Sequence, residues 1–315
     1  MATIPIILDC DPGHDDALAI VLALARPELG IRAITTVAGN APLDRTTRNA
    51  LRVLTLVGRT DVPVAAGAER PLVREPWVPV EFHGDSGLDG ADLPEPAVGP
   101  AGLSAVELMA AVLRETEEPV TLVATGPLTN VALLLRAAPA LRARIAGISL
   151  MGGSLGAGNT TASAEFNIWA DPEAAAIVFE SGIPIRMSGL DVTHQALLDR
   201  SSSEALRATG TGSARIAAEL TDYALDRNME WGGRTTAAIH DAVAVGHLAI
   251  PDLVDVAAYH VAVDTTDGPA RGRTVCDGLP YRLRRDGRTP NAEVGIRIDR
   301  GRFESVLLDS FGSLP

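Results

Sequence analysis

Lysine is absent from this chain, cysteine nearly so, and aromatic side chains are few. Two cysteines, Cys10 and Cys276, are too few for a disulfide framework. Cys10 sits in the apolar segment IPIILDC as a small buried hydrophobe, and a reducing cytoplasm is the expected compartment. With aromatics at 3 %, the core must be packed by Ala, Val, Leu and Ile. No apolar stretch is long enough to span a bilayer. The start, MATIPIILDCDPG, has neither the charged region nor the long apolar run of a signal peptide. Basic runs are missing too. A net charge of −13 repels nucleic acid and anionic membranes at long range, leaving neutral or cationic small ligands as expected partners.

What is present is an ordinary globular composition: 315 residues, 46 % of them hydrophobic, enough for a sizeable core. Short runs rich in β-branched residues alternate with Ala/Leu helices. The runs are 4–10, 31–38, 120–125, 145–151 and 183–189. Helices are expected near 16–26 and 43–58, and after Pro127 and Pro172. The strands are almost continuously apolar rather than alternating, as in a parallel sheet covered on both faces. The expected fold is therefore α/β: a mostly parallel, doubly wound open sheet, with residues 1–315 as a single domain. Residues 69–100 and 152–164 break the rhythm as loops, and 200–250 read as mostly helical. The stretch 264–290 is expected to be an edge hairpin or a subunit contact.

The most informative segment is Asp9-Cys10-Asp11-Pro12-Gly13-His14-Asp15-Asp16. It places four aspartates where the first strand ends and the first helix begins, the edge at which open α/β sheets bind ligands. Asp9 and Asp11 share one strand face by the period of two. Asp15 and Asp16 lie at a helix start, where unpaired N–H groups favour negative charge. The plain alternative is one N-cap among solvated turn residues. Converging carboxylates, however, repel each other and call for a cation. Hard oxygens without clustered Cys or His suit Ca²⁺ or Mg²⁺ better than zinc. An Asp-x-Asp at a strand end also marks haloacid-dehalogenase-type phosphatases, which need a later lysine that this chain lacks. The glycines of MGGSLGAGN do not have the spacing of a phosphate loop.

DCDPGHDDALAI closely resembles the N-terminal signature of the inosine–uridine-type nucleoside hydrolases. Similar segments follow in order: ITTVAGN (34–40), FHGDSGL (82–88), TLVATGPLTN (121–130), LMGGS (150–154), AEFNIWADPEAA (164–175), GLDVTHQ (189–195) and IHDAVAV (239–245). The resemblance implies hydrolysis of the N-glycosidic bond of ribonucleosides to ribose and free base, for nucleoside catabolism and base salvage. It implies one Ca²⁺ held by Asp11, Asp16 and Asp241 and by the backbone carbonyl of Thr125. Asp11 would also act as general base, and His240 would protonate the departing base. Asp15 and Asn167 would grip the vicinal diol of the ribose, and Asn159 and Glu165 its 5′-hydroxyl. Asn40 at the same sheet edge, and His83 on the long loop, complete the expected substrate site. Glu165 and Asn167 share a face if their segment is extended.

Members of this family are commonly dimers or tetramers, so a homodimer or homotetramer is expected. Some carry tyrosines before the motif histidine that stack on the base. Here Tyr223 is followed by Trp231, which is expected either to stack on a base or to pack between helices, so base preference stays open. His194 is assigned to structure. A noncatalytic ribose- or calcium-binding module is the remaining alternative.

Overall fold

The computed structural model describes residues 3–79, 82, 84–250 and 252–315. Its strands are β1 (Ile4–Cys10), β2 (Leu29–Thr36), β3 (Val64–Ala66), β4 (Val120–Ala124), β5 (Ile145–Met151), β6 (Ile185–Ser188), β7 (Leu197–Leu198), β8 (Ala237–Ala238), β9 (Val254–Val263), β10 (Thr274–Asp277) and β11 (Ala292–Ile298). Among these residues a nine-stranded sheet forms in the order β10-β9-β11-β6-β5-β4-β1-β2-β3, and β7 pairs with β8 apart from it. Strands β3 to β6 and β11 run parallel to β1 and β2. β9 is antiparallel to both β11 and β10. The stretch 264–290 thus contributes the outermost strand, an edge hairpin.

Both faces of the sheet are covered, and β1 shows why its sequence is apolar throughout. Ile6, Leu8 and Cys10 enter one core with the helices His14–Ala25, Leu43–Leu56, Gly212–Gly232, His240–Ala249 and Arg300–Gly312. Ile7 enters the other, with Ala105–Glu115, Thr129–Ala137 and Pro172–Phe179. Each fully buried Leu or Ile contributes about 1.5–3 kcal/mol. A strand with alternating polarity would lose one of these two layers.

The strand order also fixes where a ligand can go. From β1 the chain winds outward to β2 and β3, then returns to β4 on the other side of β1 and continues to β5 and β6. Neighbouring strands whose connections depart in opposite directions leave a crevice at their carboxyl ends. Here that crevice lies between β1, followed by Asp11, and β4, followed by Thr125. Residues 166–170 form a short helix with Glu165 as its N-cap, so the extended arrangement that would put Glu165 and Asn167 on one strand face does not occur. The buried Glu165 carboxylate accepts the N–H groups that the helix start leaves without backbone partners, which favours the turn over extension. Among the described residues, no helix is long and apolar enough to cross a membrane.

Candidate active site and metal centre

A cleft of about 880 Å³ opens at the carboxyl edge of the sheet. Asp15, Asn40, Thr125 and Asp241 line its floor region, and Asn159, Glu165, Asn167 and His240 line it as well. Asp11 and Asp16 are buried beneath. These expected site residues, far apart in sequence, come to one place. His83 lies outside the described residues, although its neighbour Phe82 lines the cleft.

The start of the helix His14–Ala25 supplies two of the carboxylates, Asp15 and Asp16, and the helix His240–Ala249 brings Asp241 to them. Gly13 caps the first of these helices, and its N–H donates to Asp16 Oδ2 at 3.2 Å, so the helix start holds Asp16 inward. Asp16 also accepts from Thr125 Oγ1 (2.8 Å), Asn40 Nδ2 (3.1 Å) and the Asp11 N–H (3.3 Å). Oxygens of Asp15, Asp16 and Asp241 lie within 4.8 Å of one another. Carboxylates this close repel one another unless they share a proton or a cation.

Asp11 stands beside this group rather than inside it. The division expected from sequence placed Asp11 in the tight cluster and Asp15 outside, whereas Asp15 is the third member of the closest set. The Asp11 carboxylate is gripped by backbone: Asn40 N–H donates to Oδ2 at 2.7 Å, and Oδ1 is buried without a hydrogen-bond partner. Gly39 and Gly126 flank it so closely that a Cβ at either would lie under 3 Å from a carboxylate oxygen.

Electrostatics follow from this crowding. Burial, then the charge of Asp16, raises the Asp11 carboxyl well above its ordinary range. Burial and the charges of Asp15, Asp16 and Asp11 do the same to Asp241, and burial with Asp15 lifts Asp16 to about 7. The neighbours that raise these groups are other carboxylates. The donor set fits a hard divalent cation on three grounds: crowded oxygens, a partnerless buried oxygen on Asp11, and no sulfur or imidazole among the donors.

Around the floor, Asn167 Nδ2 donates to the carbonyls of Thr125 (2.7 Å) and Met151 (3.1 Å). A carbonyl has a second lone pair, so the Thr125 oxygen keeps room for another partner. Glu165 accepts from the N–H groups of Gly153 (2.8 Å), Asn167 (2.9 Å) and Ile168 (3.2 Å). Burial nevertheless lifts its carboxyl to about 7. Asn159 Oδ1 accepts from the Phe166 N–H at 2.9 Å, which ties the exposed loop end to the same helix. On the opposite wall, His240 Nδ1 is 2.7 Å from the buried Thr193 hydroxyl. Burial lowers the pKa of His240, as does nearby His194.

His194, Tyr223, Trp231 and Asp9 each have defined partners. His194, assigned to structure, lines the cleft with its ring edge-on to His240 at 5.5 Å. Tyr223 stacks on His14 at 4.7 Å, and that histidine is fixed through Nε2 to the Asp89 carbonyl. Trp231 meets Phe82 edge-on at 4.3 Å. Asp9 accepts from Thr35 Oγ1 (2.6 Å) and Asn130 Nδ2 (2.8 Å) inside the sheet, and is not among the residues lining the cleft.

The family model for inosine-uridine preferring nucleoside hydrolase matches residues 6–305. The chain belongs to the inosine–uridine preferring nucleoside hydrolase family. It is therefore an N-glycosidic hydrolase, which removes the phosphatase reading of Asp9-x-Asp11 and the noncatalytic one. It is similar to the pyrimidine-specific ribonucleoside hydrolase RihA of Escherichia coli O127:H6, 52% identical over 308 residues that cover 97% of each chain. Among solved structures it is similar to a purine-preferring ribonucleoside hydrolase from Gardnerella vaginalis, with TM-score 0.90 and 33% identity over 98% of both chains. A plant nucleoside hydrolase, PpNRh1, matches with TM-score 0.91 and 30% identity, over 98% of this chain and 99% of its own.

Proposed function

We propose that this nucleoside hydrolase cleaves pyrimidine ribonucleosides to ribose and free base, with Ca²⁺ at the floor of the cleft. The observation that carries the site reading is the tight set Asp15, Asp16 and Asp241 beside the partnerless, buried Oδ1 of Asp11. Asp11, Asp16, Asp241 and the Thr125 carbonyl would hold the ion, a hard-oxygen set that Ca²⁺ completes with substrate hydroxyls and water. When bound, the cation supplies Lewis acidity and offsets the mutual repulsion of the carboxylates.

The remaining chemistry belongs to the chain's own side chains. Asp11 Oδ1 accepts the proton of the attacking water as general base. Asp15 and Asn167 hold the vicinal diol and fix the sugar, which lowers the entropic part of the barrier. Positive charge that grows on the ribose ring as the bond to the base lengthens is favoured by the surrounding carboxylates. Glu165 and Asn159 hold the 5′-hydroxyl. His240, with Nδ1 engaged by Thr193, turns Nε2 to the departing base and gives it a proton.

Pyrimidine preference rests on the relative at 52% identity. The test is kcat/KM for uridine and cytidine against inosine and adenosine, with calcium present. Pyrimidines should be favoured by about tenfold or more. Equal or higher values on the purines would overturn the preference. The same proposal covers a single domain over residues 1–315, a cytoplasmic location and a homodimer or homotetramer. One continuous sheet and two unpaired cysteines support the first two. Sedimentation of the purified protein decides the third.

A further inference from the structure

The outer hairpin of the sheet reaches back to the turn beside Glu165. Thr274 opens β10 and is 2 % exposed. Its hydroxyl accepts the Ser154 N–H at 2.9 Å and donates to the Ser154 carbonyl at 2.6 Å. One side chain thereby satisfies both backbone groups of a residue 120 positions away. Its methyl packs on Gly153, where a Cβ would lie 2.7 Å from Thr274 Cγ2. Gly153 has φ +74 and, in turn, donates its N–H to Glu165 Oε2 at 2.8 Å. A second contact runs beside the first. Gly272, with φ +83, lies against the helix that Glu165 caps, since a Cβ there would sit 2.8 Å from Trp169 Cα. Arg271 pairs with Glu173 at the start of the following helix.

We propose that Thr274 is a positioning residue for the 5′ end of the sugar. It locks the Gly153–Ser154 turn, which aims the Glu165 carboxylate into the cleft. A buried turn with left-handed backbone holds one geometry only if its polar groups are satisfied. The side chain that satisfies Ser154 belongs to the edge strand β10 and is not among the residues that line the cleft. The β9–β10 hairpin is thus a brace for substrate binding as well as an edge of the sheet. This inference rests on the reading that Glu165 and Asn159 hold the 5′-hydroxyl.

The experiment compares kcat and KM for uridine and for 5′-deoxyuridine in wild type, Thr274→Val, Thr274→Ser and Gly272→Ala. Wild type should favour uridine through KM. Thr274→Val keeps the shape and removes the hydroxyl, so its preference for uridine should fall about tenfold, the loss expected for one misplaced hydrogen-bonding group. Activity on 5′-deoxyuridine should change far less. Thr274→Ser retains the hydroxyl and should keep the wild-type preference. If the valine variant fails to fold, Gly272→Ala, whose added Cβ presses on Trp169 of the same helix, should lower the preference alone. An unchanged preference in folded Thr274→Val or, failing that, in Gly272→Ala overturns the brace while leaving the 5′ assignment standing. A wild type that treats both substrates alike overturns the 5′ assignment and the brace together.

Discussion

Gly39 and Asp11 are so close that a Cβ built on the glycine would lie 2.0 Å from Asp11 Oδ2. The same Cβ would meet the ring of Pro127 at 2.9 Å, so neither side can yield without moving the carboxylate. Gly39→Ala should displace Asp11 while the two cores remain intact. Displacement of a reacting group by about 1 Å costs about a hundredfold in rate. The variant should show that loss in kcat/KM for uridine, with a melting temperature near wild type. Near-normal turnover would mean that Asp11 does not need its present position.

Thr193 and His240 make a second pair whose role can be separated from simple packing. His240→Ala should slow substrates with poorly leaving bases more than a riboside carrying an activated aryl leaving group. General acid assistance is worth about 10² to 10⁴ in rate, and that assistance is lost only where the leaving group needs it. Thr193→Val should produce a smaller loss of the same kind, since only the hydrogen bond to Nδ1 is removed. Equal losses on both substrates would exclude His240 as leaving-group acid.

Glu165 gives a prediction about pH and stability. Its carboxyl stands at about 7 in the fold, above its ordinary 4.5, because it is buried. Below 4.5 it is protonated whether the chain is folded or not. Between 4.5 and about 7 the unfolded chain binds fewer protons than the folded one, so stability falls as pH rises. Glu165→Gln cannot ionise. Its melting temperature relative to wild type should therefore climb across that window and level off above it. A difference that is flat with pH would contradict the burial cost.

Calcium should stabilise the protein in a pH-dependent way. Without a cation, the raised pKa of Asp16 makes the fold lose stability between its ordinary 3.8 and about 7. Carboxylates must be ionised to ligate, so calcium binds more strongly as pH rises. The increase in melting temperature on adding calcium should be larger at about pH 8 than at about pH 5.5. Identical increases at both would place the ion away from Asp11, Asp16 and Asp241.

Much of this was legible in the sequence because it is local. The apolar strands and the Asp-rich turn identify the carboxyl edge, and the ordered motifs give the family. What was not legible depends on distant segments meeting. The slot around Asp11 needs Gly39 after β2 and Gly126 after β4, and each glycine alone looks like an ordinary turn residue. Trp231 stays open in sequence between stacking on a base and packing, and its edge-on contact with Phe82 comes from a loop far along the chain. Asp15 joins Asp16 and Asp241 because the helix start and the Ile239–Asp241 segment converge, which adjacency in sequence does not reveal. Glu165 and Asn167 would share a face only in an extended segment, but Glu165 caps a short helix, and its contact with the Gly153 N–H depends on a turn twelve residues away.

The most direct test follows ribose release from uridine by reducing-sugar assay, using protein stripped with a calcium chelator and then resupplied with Ca²⁺. Release should stop on chelation and return with calcium, and Asp11→Asn resupplied with calcium should remain at least about a thousandfold slower than calcium-loaded wild type. Full activity in the stripped protein, or in Asp11→Asn, would contradict the account.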